Sequence, residues 1–375
     1  MKKISVFNPS ISLIDAYSVF RSTYKGEISG TAPIVNTFEK NFARFCSRKY
    51  GIALSNGSVA LDLVFASLGL NEGDEVILPS FTIISCLAAI LRCKAVPVFV
   101  DVNESSWNLT AASIEKAISP KTKAVLIVHL YGLPAEAKAI EELCVRRGLA
   151  LIEDAAEAHG MRIGSRIAGS FGDASTFSFY ANKHVTSGEG GMVVTNNKEL
   201  FQKIGNMRNL GFDPKKRFVH NELFWNYRIG GLAAALGNSQ LKKISKTISK
   251  KKNQAHYYKQ LLKPLMHELS IQAEKWKEVE NNYWVFGIVL NDSYSRDQVM
   301  ERLAQVNIET RPFFWPLHLQ PVLSKYEYRC VGSLSVSEKL GKLGMYLPMG
   351  QGISKSMQRV VVKELTKILI ESQGK

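Results

Sequence analysis

Cysteine is scarce in this chain: the five residues Cys46, Cys86, Cys93, Cys144 and Cys330 are an odd number, with no CxxC pair and no histidine ligands beside them. That pattern excludes a disulfide framework and a zinc site and leaves buried thiols. Long hydrophobic runs are missing as well. The longest, Phe81 to Leu91, ends at Arg92 and is too short to cross a bilayer, so no membrane partner is expected. Near the start, Asn8, Pro9 and Ser10 interrupt any apolar stretch after Lys2 and Lys3; no signal-peptide core follows, and the cytoplasm is the expected location. Acidic residues are absent from Leu223 through His267, where Lys242, Lys243, Lys246, Lys250, Lys251, Lys252, Lys259 and Lys263 gather. The run lacks the interleaved aromatics of a base-stacking platform, so it reads as the solvated face of a long helix linking two domains, and nucleic acid is not the expected partner. Internal repeats and low-complexity tracts are absent too.

What is present is the composition of a globular protein, 46% hydrophobic and 22% charged, with a net charge of +15 that suits phosphorylated small molecules as well as larger polyanions. From Ala53 to Val194 short apolar runs alternate with helical patterns, the mark of βα units on a mostly parallel sheet. The expected strands are Glu75 to Leu78, Val96 to Val100, Ala124 to Leu130, Ala150 to Glu153, Ser175 to Phe179 and Met192 to Thr195. The expected helices include Ser58 to Leu68, Thr110 to Ala117 and Ala135 to Arg146. The fold class is α/β: a large domain over residues 1–240, then a linking helix and a smaller α+β domain over 241–375, with a strand at Tyr283 to Leu290 and a helix at Ser295 to Gln305. Sheets of this kind place ligands beyond the carboxyl ends of their strands.

Two strand ends carry the chemistry. One closes on Glu153-Asp154 and runs on through Glu157 to Gly160; the other closes on Phe177-Ser178-Phe179 and reaches Lys183. A carboxylate and a lysine then point into one cleft. Pyridoxal 5′-phosphate (PLP) chemistry needs that pair: the lysine forms a Schiff base with the aldehyde, and the carboxylate keeps the pyridine nitrogen protonated. Asp154 and Lys183 fit those roles, although singly Asp154 reads as a helix cap and Lys183 as a surface lysine. A buried lysine also serves as a proton shuttle. Ser55-Asn56-Gly57-Ser58 before an apolar helix offers free N–H groups to a phosphate, with Gly57 and Ser58 as the contacts and Ser178 adding a hydroxyl.

Taken together these segments, with residues 73–82, 129–132, 172–173, 188–191 and 225–228, resemble the PLP-dependent sugar-nucleotide aminotransferases of the DegT type over nearly the whole chain. The resemblance implies fold type I of the PLP-dependent transferases, a seven-stranded sheet, and a homodimer with active sites shared at the subunit interface. It implies that Lys183 binds the cofactor, that Asp154 meets the pyridine nitrogen, that Gly57, Ser58 and Ser178 hold the phosphate, and that Asn226 reaches the phosphate from the second subunit. Glu157 stands near the ring hydroxyl. Ile83 occupies a position usually aromatic, where it covers the ring face without the stacking contribution of about 0.5 to 1.5 kcal/mol. Lysine at 183 implies amino transfer, because related dehydratases carry histidine there; His184 faces the opposite way if the segment is extended. The segments around Tyr131, Tyr180, Trp225 and residues 308–318 are most similar to family members that aminate C4 of GDP-4-keto-6-deoxymannose with L-glutamate as donor. Arg311 and His318 would then face the nucleotide-linked keto sugar, or else form a domain-interface ion pair and a satisfied loop histidine. A UDP- or dTDP-linked keto sugar is the alternative acceptor, and a non-catalytic regulatory or nucleic-acid-binding protein on the same fold is the alternative of another class.

Overall fold

The computed structural model describes residues 3–212, 216–277 and 279–373. Its strands are β1 (Tyr50–Leu54), β2 (Glu75–Pro79), β3 (Val96–Val100), β4 (Thr122–Val128), β5 (Ala150–Asp154), β6 (Arg162–Ile163), β7 (Arg166–Ile167), β8 (Ala174–Ser178), β9 (Gly191–Thr195), β10 (Leu269–Ile271), β11 (Lys275–Trp276), β12 (Val279–Glu280), β13 (Phe286–Leu290), β14 (Arg311–Pro312), β15 (Arg329–Val331) and β16 (Gly344–Leu347). The main sheet has eight strands in the order β1-β9-β8-β5-β4-β2-β3-β15. Every pairing from β8 to β15 is parallel, and β9 runs antiparallel to both its neighbours. Inner strands such as β3 are buried along their whole length, which explains the unbroken apolar sequence of β3.

Helices cover both faces: α1 (Leu13–Tyr24), α2 (Pro33–Phe45), α3 (Gly57–Ser67), α4 (Ile84–Arg92), α5 (Ala111–Ala117), α6 (Ala137–Arg147), α7 (Lys198–Arg208) and α8 (Gly231–Leu241). The long α9 (Ile244–Leu262) carries the lysine run, and it is not a wholly solvated face, since Lys251 is buried. Beyond it, α10 (Arg296–Gln305), α11 (Ser335–Leu343) and α12 (Lys355–Gln373) accompany a four-stranded antiparallel sheet, β10-β13-β16-β14. No helix among the described residues is long and apolar enough to cross a membrane.

Several expectations are corrected. The main sheet has eight strands rather than seven because β15, a three-residue segment late in the chain, pairs with β3 and is pinned there by Arg329 on Glu75 at 2.8 Å. At the other end of the chain, Ile4 pairs with Ile308 and packs in the core of the smaller sheet. The strand expected to reach Leu130 stops at Val128. The Leu130 N–H is taken by Asn108 at 2.9 Å and its carbonyl by Gln272 at 2.9 Å, which replaces the ladder with a tight turn. The strand expected from Tyr283 begins at Phe286, since Tyr283 has φ of 52°. Cys46, Cys86 and Cys144 are buried, but Cys93 is half-buried and Cys330 exposed, all as free thiols.

Candidate active site

Alternation along β5 sorts two adjacent carboxylates to opposite sides. Glu153 points beneath the sheet, where His129 Nε2 at 2.8 Å, the Gly169 N–H at 2.7 Å and the Ser175 hydroxyl at 2.7 Å hold it in place. Asp154, the last residue of the strand, points into a cavity of about 390 Å³ at the carboxyl ends of β5 and β8. Its Oδ1 accepts the Ala156 N–H at 3.0 Å and its Oδ2 the Cys86 thiol at 3.4 Å. The neighbouring parallel strand β8 ends at Ser178, and a turn closed by the Lys183 N–H on the Tyr180 carbonyl at 2.9 Å brings Lys183 into the same cavity. This turn, rather than an extended segment, sends His184 away from the cavity to the Asn282 carbonyl at 3.3 Å.

The third wall is the N-terminus of α3. Asn56 caps it, its side chain accepting the Val59 N–H at 2.9 Å, so the first-turn N–H groups face the cavity. Position 57 must be glycine: a Cβ there would lie 2.9 Å from the Ser178 Cβ, which is how closely the helix end approaches β8. Ser58 pairs with Ser85 through their hydroxyls at 2.6 Å, and the Ser178 hydroxyl accepts the Tyr180 N–H at 3.3 Å. Ile83 sits at the head of α4, partly exposed on the cavity wall.

Burial dominates the electrostatics. It pushes the Asp154 carboxyl up, opposed by the Ala156 N–H, the Lys183 charge and the Cys86 thiol. It pushes Glu157 up to about 7, opposed by Lys183 and the Tyr131 N–H. The Lys183 amine is pushed down, with Glu157 and Asp154 opposing. Lys183 Nζ lies 3.7 Å from Glu157 Oε1 and 3.8 Å from the centre of the Trp284 ring. Behind it Lys251, buried on α9, donates to the Trp284 carbonyl at 2.7 Å; burial and the Lys183 charge lower it to about 7.

The structure therefore brings Gly57, Ser58, Ile83, Asp154, Glu157, Ser178 and Lys183 to one cavity. Arg311 and His318 lie outside it, and so does Asn226, which is expected to act in the second subunit's site rather than in its own. Asn226 is exposed on a neighbouring surface, its Oδ1 accepting the Arg228 N–H at 3.2 Å. Arg311, on β14, is paired with Glu309 at 2.6 Å. His318 spends both ring nitrogens, one on the Ser80 hydroxyl at 2.5 Å and one on Glu338 at 3.2 Å, and so fastens its loop to the end of β2 instead of facing the cavity. The structure adds residues that sequence reasoning missed: Thr176 on β8, Asn182 in the turn after it, Trp284 and Phe314 from loops beside the smaller sheet, and Tyr346 on β16. Trp284 lay inside a segment read simply as a strand, and its position gave no separate signal.

Fold and cavity together define the class: an α/β enzyme with a buried amine set against a strand-end carboxylate and a helix N-terminus. The profile of the DegT/DnrJ/EryC1/StrS aminotransferase family matches residues 16–366, and the chain belongs to that family. It is 38% identical over 355 residues to the GDP-perosamine synthase of Escherichia coli O157:H7, covering 94% of this chain and 95% of that one. Against the GDP-perosamine synthase of Vibrio cholerae the identity is 36% over 352 residues, covering 93% and 95%. Among solved structures, the aminotransferase TlmJ from Streptoalloteichus hindustanus superposes with a TM-score of 0.91 at 29% identity, over 98% of this chain and 99% of that one.

Proposed function

We propose that the protein is a PLP-dependent aminotransferase that makes GDP-perosamine, placing the amino group of L-glutamate on C4 of GDP-4-keto-6-deoxymannose. The observation that carries this reading is the Lys183 amine beside Asp154 in one buried cavity at the ends of adjacent parallel strands. Relatives over nearly the full length that bear the name GDP-perosamine synthase supply the substrate.

The residues present fit PLP. Thr176 Oγ1 is buried on the cavity floor without a hydrogen-bond partner among the described residues, and the glycine at 57 leaves room for an anion at the helix end. Gly57, Ser58 and Ser178 would hold the phosphate, Asp154 the ring nitrogen, Glu157 the ring hydroxyl and Ile83 one ring face. Bound there, PLP supplies an aldehyde that condenses with amines and a ring that draws electrons from the carbon bearing the nitrogen. Asp154, buried at the end of β5, would keep a proton on the ring nitrogen. Lys183 Nζ is the base that takes a proton from the α-carbon of L-glutamate and delivers one to C4 of the sugar. Trp284, Phe314 and Tyr346 close the cavity from the smaller domain and exclude water.

The working unit is a homodimer. Leu13, Ile14, Tyr17, Phe20 and Tyr24 form an exposed apolar stripe on α1, and Leu223 and Trp225 stand out beside the cavity, 96% and 72% exposed. Apolar surface of that extent calls for a partner, and a second copy covering it would bring its Asn226 to the phosphate.

The test is the visible spectrum of purified protein with PLP, before and after L-glutamate, with Lys183→Ala alongside, followed by turnover on GDP-, UDP- and dTDP-linked keto sugars. The expected result is a lysine-dependent band that bleaches with glutamate, and turnover of the GDP sugar. Turnover confined to a UDP or dTDP sugar would reassign the acceptor; no lysine-dependent band would overturn the cofactor role.

A further inference from the structure

Glu157 has one carboxylate oxygen anchored by a backbone amide and the other set against Lys183. Oε2 accepts the Tyr131 N–H at 2.8 Å, while Oε1 faces Lys183 Nζ at 3.7 Å, just beyond a formed hydrogen bond. The anchoring amide is supplied by a strained turn. Tyr131 has φ of 56° and Gly132 of 106°, and a Cβ at Gly132 would lie 2.5 Å from the backbone nitrogens of Tyr283 and Trp284. A tyrosine in the left-handed region costs roughly 1 kcal/mol or more, and here it aims a backbone donor at this carboxylate. A glutamine could accept the same bond. Only a carboxylate can also accept a proton.

The surroundings make proton transfer between the two groups easy. Both side chains are buried, Lys183 10% exposed and Glu157 7%. The groups facing Glu157 are Lys183, Asp154 at the end of β5, Tyr131 in the turn after β4, Tyr346 on β16 and the Cys86 thiol on α4; of these, Lys183 alone is a cation. Desolvation favours the neutral form of each partner, raising the acid and lowering the amine, so the ion pair and the neutral pair approach one another in energy.

We propose that Glu157 is the proton-exchange partner of Lys183: an Nζ–H bond of the ammonium breaks as an Oε1–H bond forms, leaving a nucleophilic amine and a carboxylic acid, and the proton returns when Lys183 is released. The proposal rests on Lys183 being the cofactor lysine. It explains why the lysine is held against a carboxylate that can take up its proton rather than against a fixed neutral acceptor.

Two measurements test it, one of them without cofactor. Infrared spectra of the cofactor-free protein should show a protonated-carboxyl stretch that fades as the pH rises through about 7 and is missing from Glu157→Gln. With PLP added, borohydride trapping at Lys183 should slow about 100-fold in Glu157→Gln at neutral pH, the low end for loss of a general acid–base. Glu157→Asp, which keeps a titrating group, should retain the pH dependence and so guards against a folding defect. A wild-type infrared spectrum in Glu157→Gln, together with an unchanged trapping rate and pH profile, would overturn the proposal. Failure of wild-type protein to trap PLP at Lys183 would instead remove the cofactor reading, and the infrared band would still decide the shared proton.

Discussion

At Asp154 a thiol stands where the carboxylate needs a donor. Cys86 Sγ lies 3.4 Å from Oδ2 and 3.8 Å from Thr82 Oγ1, with all three groups buried. A thiol donates weakly, yet it is one of only a few groups opposing the burial that raises Asp154. Cys86→Val keeps the volume and removes the donor, so ionised Asp154 loses support and its pKa rises further. The acid limb of the pH–rate profile for kcat should move to higher pH, with kcat at neutral pH falling several-fold; an unmoved limb would show that the Ala156 N–H and Lys183 suffice. In the sequence Cys86 is one cysteine in an apolar run and reads as a buried thiol, which it is. That it points at Asp154 follows from where α4 lies on the sheet. His318 shows the converse: the sequence allows it to face substrate or to be a satisfied loop histidine, and Ser80 and Glu338 engage both its nitrogens.

Among the elements, β8 bears Ser178 and leads to Lys183, and its position is set from below by rings. Phe42 on α2 packs edge-on against Phe177 at 4.8 Å and Phe179 at 5.0 Å between ring centres, with Phe38 and the buried His159 completing the nest. Edge-to-face contacts of this kind fix orientation as well as area. Phe42→Ala should lower the free energy of unfolding by about 3–5 kcal/mol, measured by urea denaturation, with weaker retention of PLP because the strand end carrying Ser178 loosens. A loss below about 1 kcal/mol would mean that the nest closes over the gap. The apolar periodicity of α2 and β8 is visible along the chain. Their meeting is not, because Phe42 and Phe177 stand far apart in the chain and only the order of strands in the sheet brings them together.

For the molecule as a whole, the decisive surface is the one a single chain leaves open. The stripe on α1, with Leu13 88% and Tyr24 84% exposed, faces away from α8, against which the helix packs. Replacing Tyr17 and Phe20 together by glutamate places two charges in that stripe; if the proposed homodimer forms through it, light scattering should then find monomers in place of dimers, and if Asn226 of a second copy holds the phosphate, PLP retention should drop. Dimers of unchanged stability would assign the interface to another face. Much of this protein could be read before any fold was built. The βα alternation, the carboxylate and lysine at two strand ends, and the capped glycine-serine helix start are local patterns, and local patterns are written in consecutive residues. Which elements face one another was decided only by tertiary packing: the eighth strand contributed from residue 329 onward, the Trp284 ring over Lys183, the turn that ties Glu157, and the loop in which His318 is spent. Those contacts join residues far apart in the chain, and it is the burial of apolar surface over the whole sheet, rather than any motif, that selects them.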